Sequence, residues 1–169
     1  AYLHDMRVCQ TFASINRYTV ANDIVRHLFG KSIAEAGLSS FETVHNYIDS
    51  YENIVRKGAI SARKGEKVLI PMNMRDGCII GIGKGNPDWN CSAPHGAGRI
   101  MSRSKARKDV SLKEYEDSMK GIYTTSVCQS TIDESPMAYK PMDEIVKSIE
   151  DTVLIDKIIK PVYNFKASE

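Results

Sequence analysis

Apolar residues recur at helical spacing at the start of the chain and gather into short runs through its middle. Leu3, Met6, Cys9, Phe12 and Ile15 return every three residues, and Ile24, Val25 and Leu28 continue the series. That period predicts a long amphipathic helix over residues 2–29, with Gly30 as its C-cap. The polar link 31–40 predicts a short helix over Ser32 to Ala36. Phe41, Val44 and Ile48 fit helix or strand equally well. Ile54–Gly58 and Lys67–Pro71 read as strands with a turn over 62–66, and Met72–Gly77 is a turn before the apolar strand Cys78–Gly83. Lys84 to Trp89 is a loop, and Trp89 reads as a packing residue more than as a stacking surface. Ser111-Leu-Lys-Glu114 is a capping box, so a helix is expected from about 112 to 120, ending at Gly121. Ile122–Ser126 is β-rich, and Thr131–Pro136 is loop. A helix is expected over 142–150, with Asp143 and Glu144 near its positive end. Thr152–Ile159 is a further apolar segment. Helices mixed with short strands, without βαβ regularity, make the fold class α+β.

Composition narrows this to one domain or one compact part of a larger one. The chain has 169 residues, 42% of them apolar, and a formal charge of +2. A charge so near balance means that any nucleic-acid contact must come from a local patch. The four cysteines, Cys9, Cys78, Cys91 and Cys128, form no Cys-x-x-Cys pair. They read as reduced thiols of a cytoplasmic protein. No apolar run reaches membrane-span length, so no membrane partner is expected. No signal peptide or internal repeat is visible. A chain that opens without methionine, directly in helical sequence, is expected to have something preceding it.

The chemistry concentrates in Asn90-Cys-Ser-Ala-Pro-His-Gly-Ala-Gly-Arg-Ile-Met-Ser-Arg-Ser-Lys-Ala-Arg-Lys108. His95 lies between Pro94 and a Gly-Ala-Gly turn. Gly96 and Gly98 lack a Cβ and let a ligand come close to the backbone. Arg99, Arg103, Lys105, Arg107 and Lys108 follow within ten residues. A ring nitrogen, bare amides and guanidinium forks suit a phosphate. The same residues also fit an ordinary basic surface turn.

The string His-Gly-Ala-Gly-Arg-x-Met-Ser-Arg resembles the signature of the RtcB family, the GTP-dependent RNA ligases. Asp5, the Asn16-Arg17 pair, His45-Asn46, Arg56-Lys57-Gly58 and Ala138-Tyr139-Lys140 follow the family pattern in the same order. The resemblance implies that His95 is a nucleophile that takes GMP from GTP. Neutral imidazole is plentiful near pH 7, because its free pKa is about 6.5. It further implies His45 as a ligand of a catalytic Mn²⁺, imidazole being a reasonable donor to that ion. Asn46, Gly96, Ala97, Gly98, Arg99, Tyr139 and Lys166 become nucleotide contacts. Arg56, Lys57, Arg99 and Arg103 become RNA or phosphate contacts. Where many members carry a Gly-Ser-Met-Gly loop, this chain has Asn73-Met-Arg-Asp-Gly77. Asp76 is carried as a nucleotide contact on its position in that loop.

The resemblance spans 1–169 as a single portion that corresponds to the C-terminal part of a typical member and would form one wall of a nucleotide cleft. The N-terminal portion, which would supply an acid, a cysteine and two histidines to the metal, is absent. The implied enzyme joins RNA 2′,3′-cyclic phosphate or 3′-phosphate ends to 5′-hydroxyl ends, in tRNA splicing or RNA repair. RNA and an archease-type activator are the implied partners, and the oligomeric state is open. Two other readings stand beside it: an RNA- or nucleotide-binding module without turnover, and a folded but inactive remnant.

Overall fold

The computed structural model describes residues 1–166. Helix α1 (Tyr2–Phe29) forms over the expected span and stops at Gly30, which caps it at φ +66° with its N–H on the Arg26 carbonyl. The packing differs from the amphipathic expectation. None of its residues is buried, and Phe12, Ile15, Ile24 and Leu28 lie more than half exposed. Polar contacts dock it: Ser14 and Arg17 donate to Glu42, and Asn22 accepts the Ile33 N–H. Residues 33–37 make a turn instead of a short helix. The reciprocal Ser32–Glu35 bonds begin a helical turn, and Gly37 at φ +62° ends it.

Six strands follow in chain order: β1 (His45–Asp49), β2 (Ile54–Ser61), β3 (Lys67–Pro71), β4 (Cys78–Gly83), β5 (Ser92–Pro94) and, near the end, β6 (Val153–Ile159). They make two antiparallel sheets, β1-β2-β5 and β3-β4-β6. The run 41–48, which fitted helix or strand, is thereby strand from His45 on, and 41–44 are neither. Burial alternates strictly along β4, with Ile79, Gly81 and Gly83 inward. Glycine at 81 is a packing requirement, because a Cβ there would meet a Val153 methyl at 2.5 Å and the Leu154 carbonyl at 2.8 Å. The two sheets and helix α4 (Met142–Ser148) enclose one core, built from Ile60, Val68, Ile70, Ile79 and Ile149 among others.

A second core lies under helices α2 (Arg103–Asp109) and α3 (Leu112–Ser118), where Ala106, Tyr115, Met119, Ile132 and Ala138 pack together. Tyr139 packs against both cores. Helix α3 has the expected capping box, Ser111 with Glu114. Helix α2 was hidden within the cation run. It buries only Ala106, so no apolar period announces it. The expected loop Thr131–Pro136 falls instead within two 3₁₀ turns, Gln129–Glu134 and Pro136–Ala138. Residues 122–126 form no strand; among the described residues their one ladder contact is a bridge from Thr124 to Asn164. Trp89 ends the 3₁₀ turn Pro87–Trp89 at 55% exposure, so it is not the packing residue its size suggested. Among the described residues, no helix is long and apolar enough to cross a membrane.

Candidate active site

A break in the β1–β2 ladder makes the site. His45 pairs with Ile60 and Tyr47 with Arg56, so three β2 residues face the single residue Asn46. Asn46 and Gly58 both take positive φ, +60° and +66°, at this bulge. Such a bulge re-aims backbone groups that a regular ladder would use. The Asn46 side chain accepts the Gly58 N–H at 2.8 Å. The Gly58 carbonyl turns to His95 and accepts its amide N–H at 3.3 Å. The same carbonyl lies 2.7 Å from His95 Nδ1. A carbonyl can only accept, so Nδ1 of the neutral ring carries the proton and Nε2 keeps the lone pair. A Cβ at position 58 would only touch that Nδ1, at 3.6 Å, so it is the positive φ that favours glycine there. His45 lies against the same ring, with centroids 4.7 Å apart and planes at 37°. The two histidines expected in the chemistry are thus neighbours.

A cavity of about 1280 Å³ opens beside them, lined in part by His45, His95, Gly96–Arg99, Glu134, Tyr139 and Lys166. A second groove of about 720 Å³ runs between α1 and β1 and holds neither histidine. Its Asp49, Glu52 and Arg63 are paired with one another, whereas both histidines line the larger cavity. Ala97 is buried and donates its amide to the Pro71 carbonyl at 3.0 Å, so that amide is not bare. Asn46 and Asp76 lie outside the lining. The Asp76 carboxylate is taken by Arg75, at 2.8 Å, and by Asn73, also at 2.8 Å.

The far wall is organised by two carboxylates that sequence reasoning passed over as loop. Glu134 accepts from Arg99 at 2.7 Å, from the Tyr139 hydroxyl at 2.8 Å and from Lys166 at 3.2 Å. Arg99 also lies over the Tyr139 ring, 4.7 Å from its centroid. Burial alone would push the Glu134 carboxyl up, but the Tyr139 hydroxyl and the Lys166 and Arg99 charges outweigh it and hold it low. Burial, then the adjacent Glu134 carboxylate, pushes the Tyr139 phenol up to about 12. Asp133, 2% exposed, accepts from Arg103 at 2.8 Å and from Arg107 at 3.3 Å. Burial would raise it too, and those two guanidiniums keep it below the usual carboxylate range. A signal for this wall was present: Arg99, Arg103 and Arg107 recur every four residues, and Asp133-Glu134 is the pair of acids just before Tyr139.

Two expectations for RNA contacts change. Arg56 is 1% exposed and points inward. Its guanidinium donates to Asp49 at 2.9 Å, Ser92 at 3.0 Å, Tyr47 at 3.2 Å and the Asn90 carbonyl at 3.3 Å. It is a buried structural cation. Arg103 is tied to Asp133 and, at 3.1 Å, to Glu134, so the run 99–108 is not a row of bare cations. Lys57, Lys105 and Lys108 remain exposed.

Manganese does not fit this chain by itself. Among the described residues, no group of three or more His, Cys, Asp or Glu side chains converges, so His45 has no co-ligands. A nucleotide fits better: the cavity has room for one, and Arg99, Tyr139, Lys166 and the Gly96–Gly98 backbone line it.

The family model for tRNA-splicing ligase RtcB matches residues 1–167. The chain is 32% identical to the RNA-splicing ligase RtcB of Escherichia coli K12, over 95% of this chain and 42% of that protein. It is 30% identical to the tRNA-splicing ligase RtcB of Aeropyrum pernix, over 86% of this chain and 37% of that one. The tRNA-splicing ligase RtcB of Pyrobaculum aerophilum is 27% identical, over 94% of this chain and 40% of its own length. The chain thus spans about two fifths of the length of the curated relatives it matches.

Proposed function

The chain belongs to the RtcB family, and from that premise we propose that it carries the nucleophile-bearing wall of an RNA ligase. The observation that supports this most directly is the 2.7 Å contact of His95 Nδ1 with the Gly58 carbonyl. It leaves Nε2 as the basic nitrogen beside the cavity. In the proposed reaction Nε2 attacks the α-phosphorus of GTP, an N–P bond forms and pyrophosphate departs. An oxygen of the RNA 3′-phosphate then takes the GMP and frees the imidazole. The 5′-hydroxyl of the second RNA end attacks the activated 3′-phosphorus, its proton goes to a base, and GMP leaves as the phosphodiester forms.

The neighbouring groups have roles that follow from their chemistry. Arg99 is half of a fork on Glu134 and stacks on Tyr139, so its charge is held at one place near the phosphates. Tyr139 and Lys166 share Glu134 and present a phenol and an ammonium to the base. His45 would offer a single imidazole donor to a metal ion, and among the described residues no further ligands converge on it. The chemistry assigned to the chain is therefore that of His95 and its neighbours.

Intact mass after incubation with GTP and Mn²⁺ tests the proposal. A gain of one GMP, lost in His95→Ala with the circular dichroism unchanged, is the expected result. That no metal-ligating cluster forms among the described residues favours a second reading, a nucleotide- and RNA-binding wall without turnover. GTP binding without a mass gain would select it.

A further inference from the structure

The segment that closes the cavity has a second face. Residues 160–166 run beside 123–126. The Asn164 amide donates to the Tyr123 carbonyl at 3.1 Å, and the Lys166 amide to the Ser126 hydroxyl at 2.8 Å. The Asn164 side chain is anchored on the Met74 carbonyl. Lys160, Asn164 and Lys166 line the cavity that holds His95, whereas Tyr163 and Phe165 do not. Pro161 lines it as well, and from Tyr163 to Lys166 the chain alternates as an extended segment does, with Asn164 and Lys166 toward the cavity and Tyr163 and Phe165 on the other side.

That aromatic side faces solvent. Tyr163 is 49% exposed, Phe165 72%, and Tyr123 on the neighbouring segment 71%. The Tyr123 and Tyr163 rings meet at 5.5 Å and 37°. The Tyr163 hydroxyl is bonded to the Thr125 hydroxyl at 2.8 Å, which fixes its ring. Neither 119–131 nor 157–166 contains an Asp or Glu. Lys120 pairs with Asp117 and Lys166 with Glu134, while Lys157 and Lys160 are exposed. Fixed aromatic faces among cations, without a carboxylate in either segment, match what unpaired bases use.

We propose that Tyr123 and Tyr163, with Phe165 on the same side, form a stacking platform for unpaired bases of a single-stranded RNA whose end enters the cavity. The partner class rests on the ligase reading; the platform itself rests on ring exposure, spacing and charge. Stacking needs the ring and not the hydroxyl, which separates it from generic apolar contact.

The test is fluorescence anisotropy of a labelled oligouridylate with the whole chain, its Tyr123→Leu/Tyr163→Leu variant and its Tyr123→Phe/Tyr163→Phe variant. The leucine variant is expected to bind about 5- to 150-fold more weakly, the loss of one stacked base. The phenylalanine variant keeps both rings and loses only the Thr125 bond that fixes one of them, so it should bind much closer to the parent chain than the leucine variant does. The slope of log affinity against log salt should not change, because no phosphate contact is lost. Independently of any substitution, an abasic ribose-phosphate oligomer should bind the parent chain more weakly by a similar factor. Leucine and parent chains with equal affinity would overturn the platform, as would equal affinity for the uridylate and abasic oligomers. A parent chain that does not bind oligouridylate overturns it too. So does sedimentation in which the leucine change splits a dimer and leaves RNA affinity untouched. GMP uptake on His95 is read on the same samples: its absence counts against the ligase reading and leaves the stacking comparison intact.

Discussion

Replacing Arg56 by methionine separates a buried structural cation from an RNA contact. Methionine keeps most of the length and removes every donor. Four hydrogen bonds are lost, to Asp49, Ser92, Tyr47 and the Asn90 carbonyl. Removing one partner of a buried ion pair costs about 3–5 kcal/mol, because the other charge stays behind. Here the stranded groups keep some company. Asp49 retains Arg63 and the Tyr51 amide at 3.1 Å. The Asn90 carbonyl retains the Ser92 hydroxyl at 2.8 Å. The cost therefore falls at the lower end, about 3 kcal/mol, which for a chain of this length lowers Tm by roughly 6–12 °C. Urea unfolding followed by circular dichroism measures it. A structural role for Arg56 is refuted if Arg56→Met unfolds within about 0.5 kcal/mol of the parent chain while RNA affinity falls and its salt slope flattens by about 0.7. That pair of results would mean an arginine that faces phosphate.

The remaining predictions concern the carboxylate wall. Asp49, Asp133 and Glu134 all have folded pKa values below their ordinary ones. In that case the unfolded chain binds more protons, so their stabilisation is whole above about pH 5 and drains away as pH falls through about 4 and below. The urea midpoint should be flat from neutrality to pH 5 and drop below pH 4; an unchanged midpoint at pH 3 would contradict the pairing. Glu134→Gln removes the charge that Arg99, Tyr139 and Lys166 share, at a cost of about 2 kcal/mol. It should also move one late-titrating tyrosine, at about 12 in the parent chain, toward 10, read by absorbance at alkaline pH. A tyrosine titration that the substitution leaves in place would show that Glu134 does not act on Tyr139.

Much of the fold could be read from local signals. The Leu3–Ile15 period and Gly30 marked α1, the Ser111–Glu114 box marked α3, and short apolar runs marked β2, β3, β4 and β6. These are properties of neighbouring residues, so they are visible in one dimension. Helix α2 was not visible, because its arginines are satisfied by Asp133, 26 and 30 residues away. Ile122–Ser126 has strand-like composition but no strand beside it, only the segment around Asn164. Trp89 is large and apolar, yet it lies more than half exposed.

The site divides in the same way. By itself the sequence determined which residues are proposed to carry the chemistry: the string around His95, the His45-Asn46 pair and Tyr139 were legible, because the proposed nucleophile and its loop are written contiguously. Only the tertiary structure decided how they stand. The bulge at Asn46 and Gly58 turns one carbonyl onto the His95 ring and so selects its tautomer. Burial turns Arg56 from a candidate RNA contact into a strut. Glu134 gathers Arg99, Tyr139 and Lys166 from three places in the chain onto one carboxylate. A residue's type sets what it can do; its partners, brought from 30 to 40 positions away, set what it does, and those distances are closed only by folding.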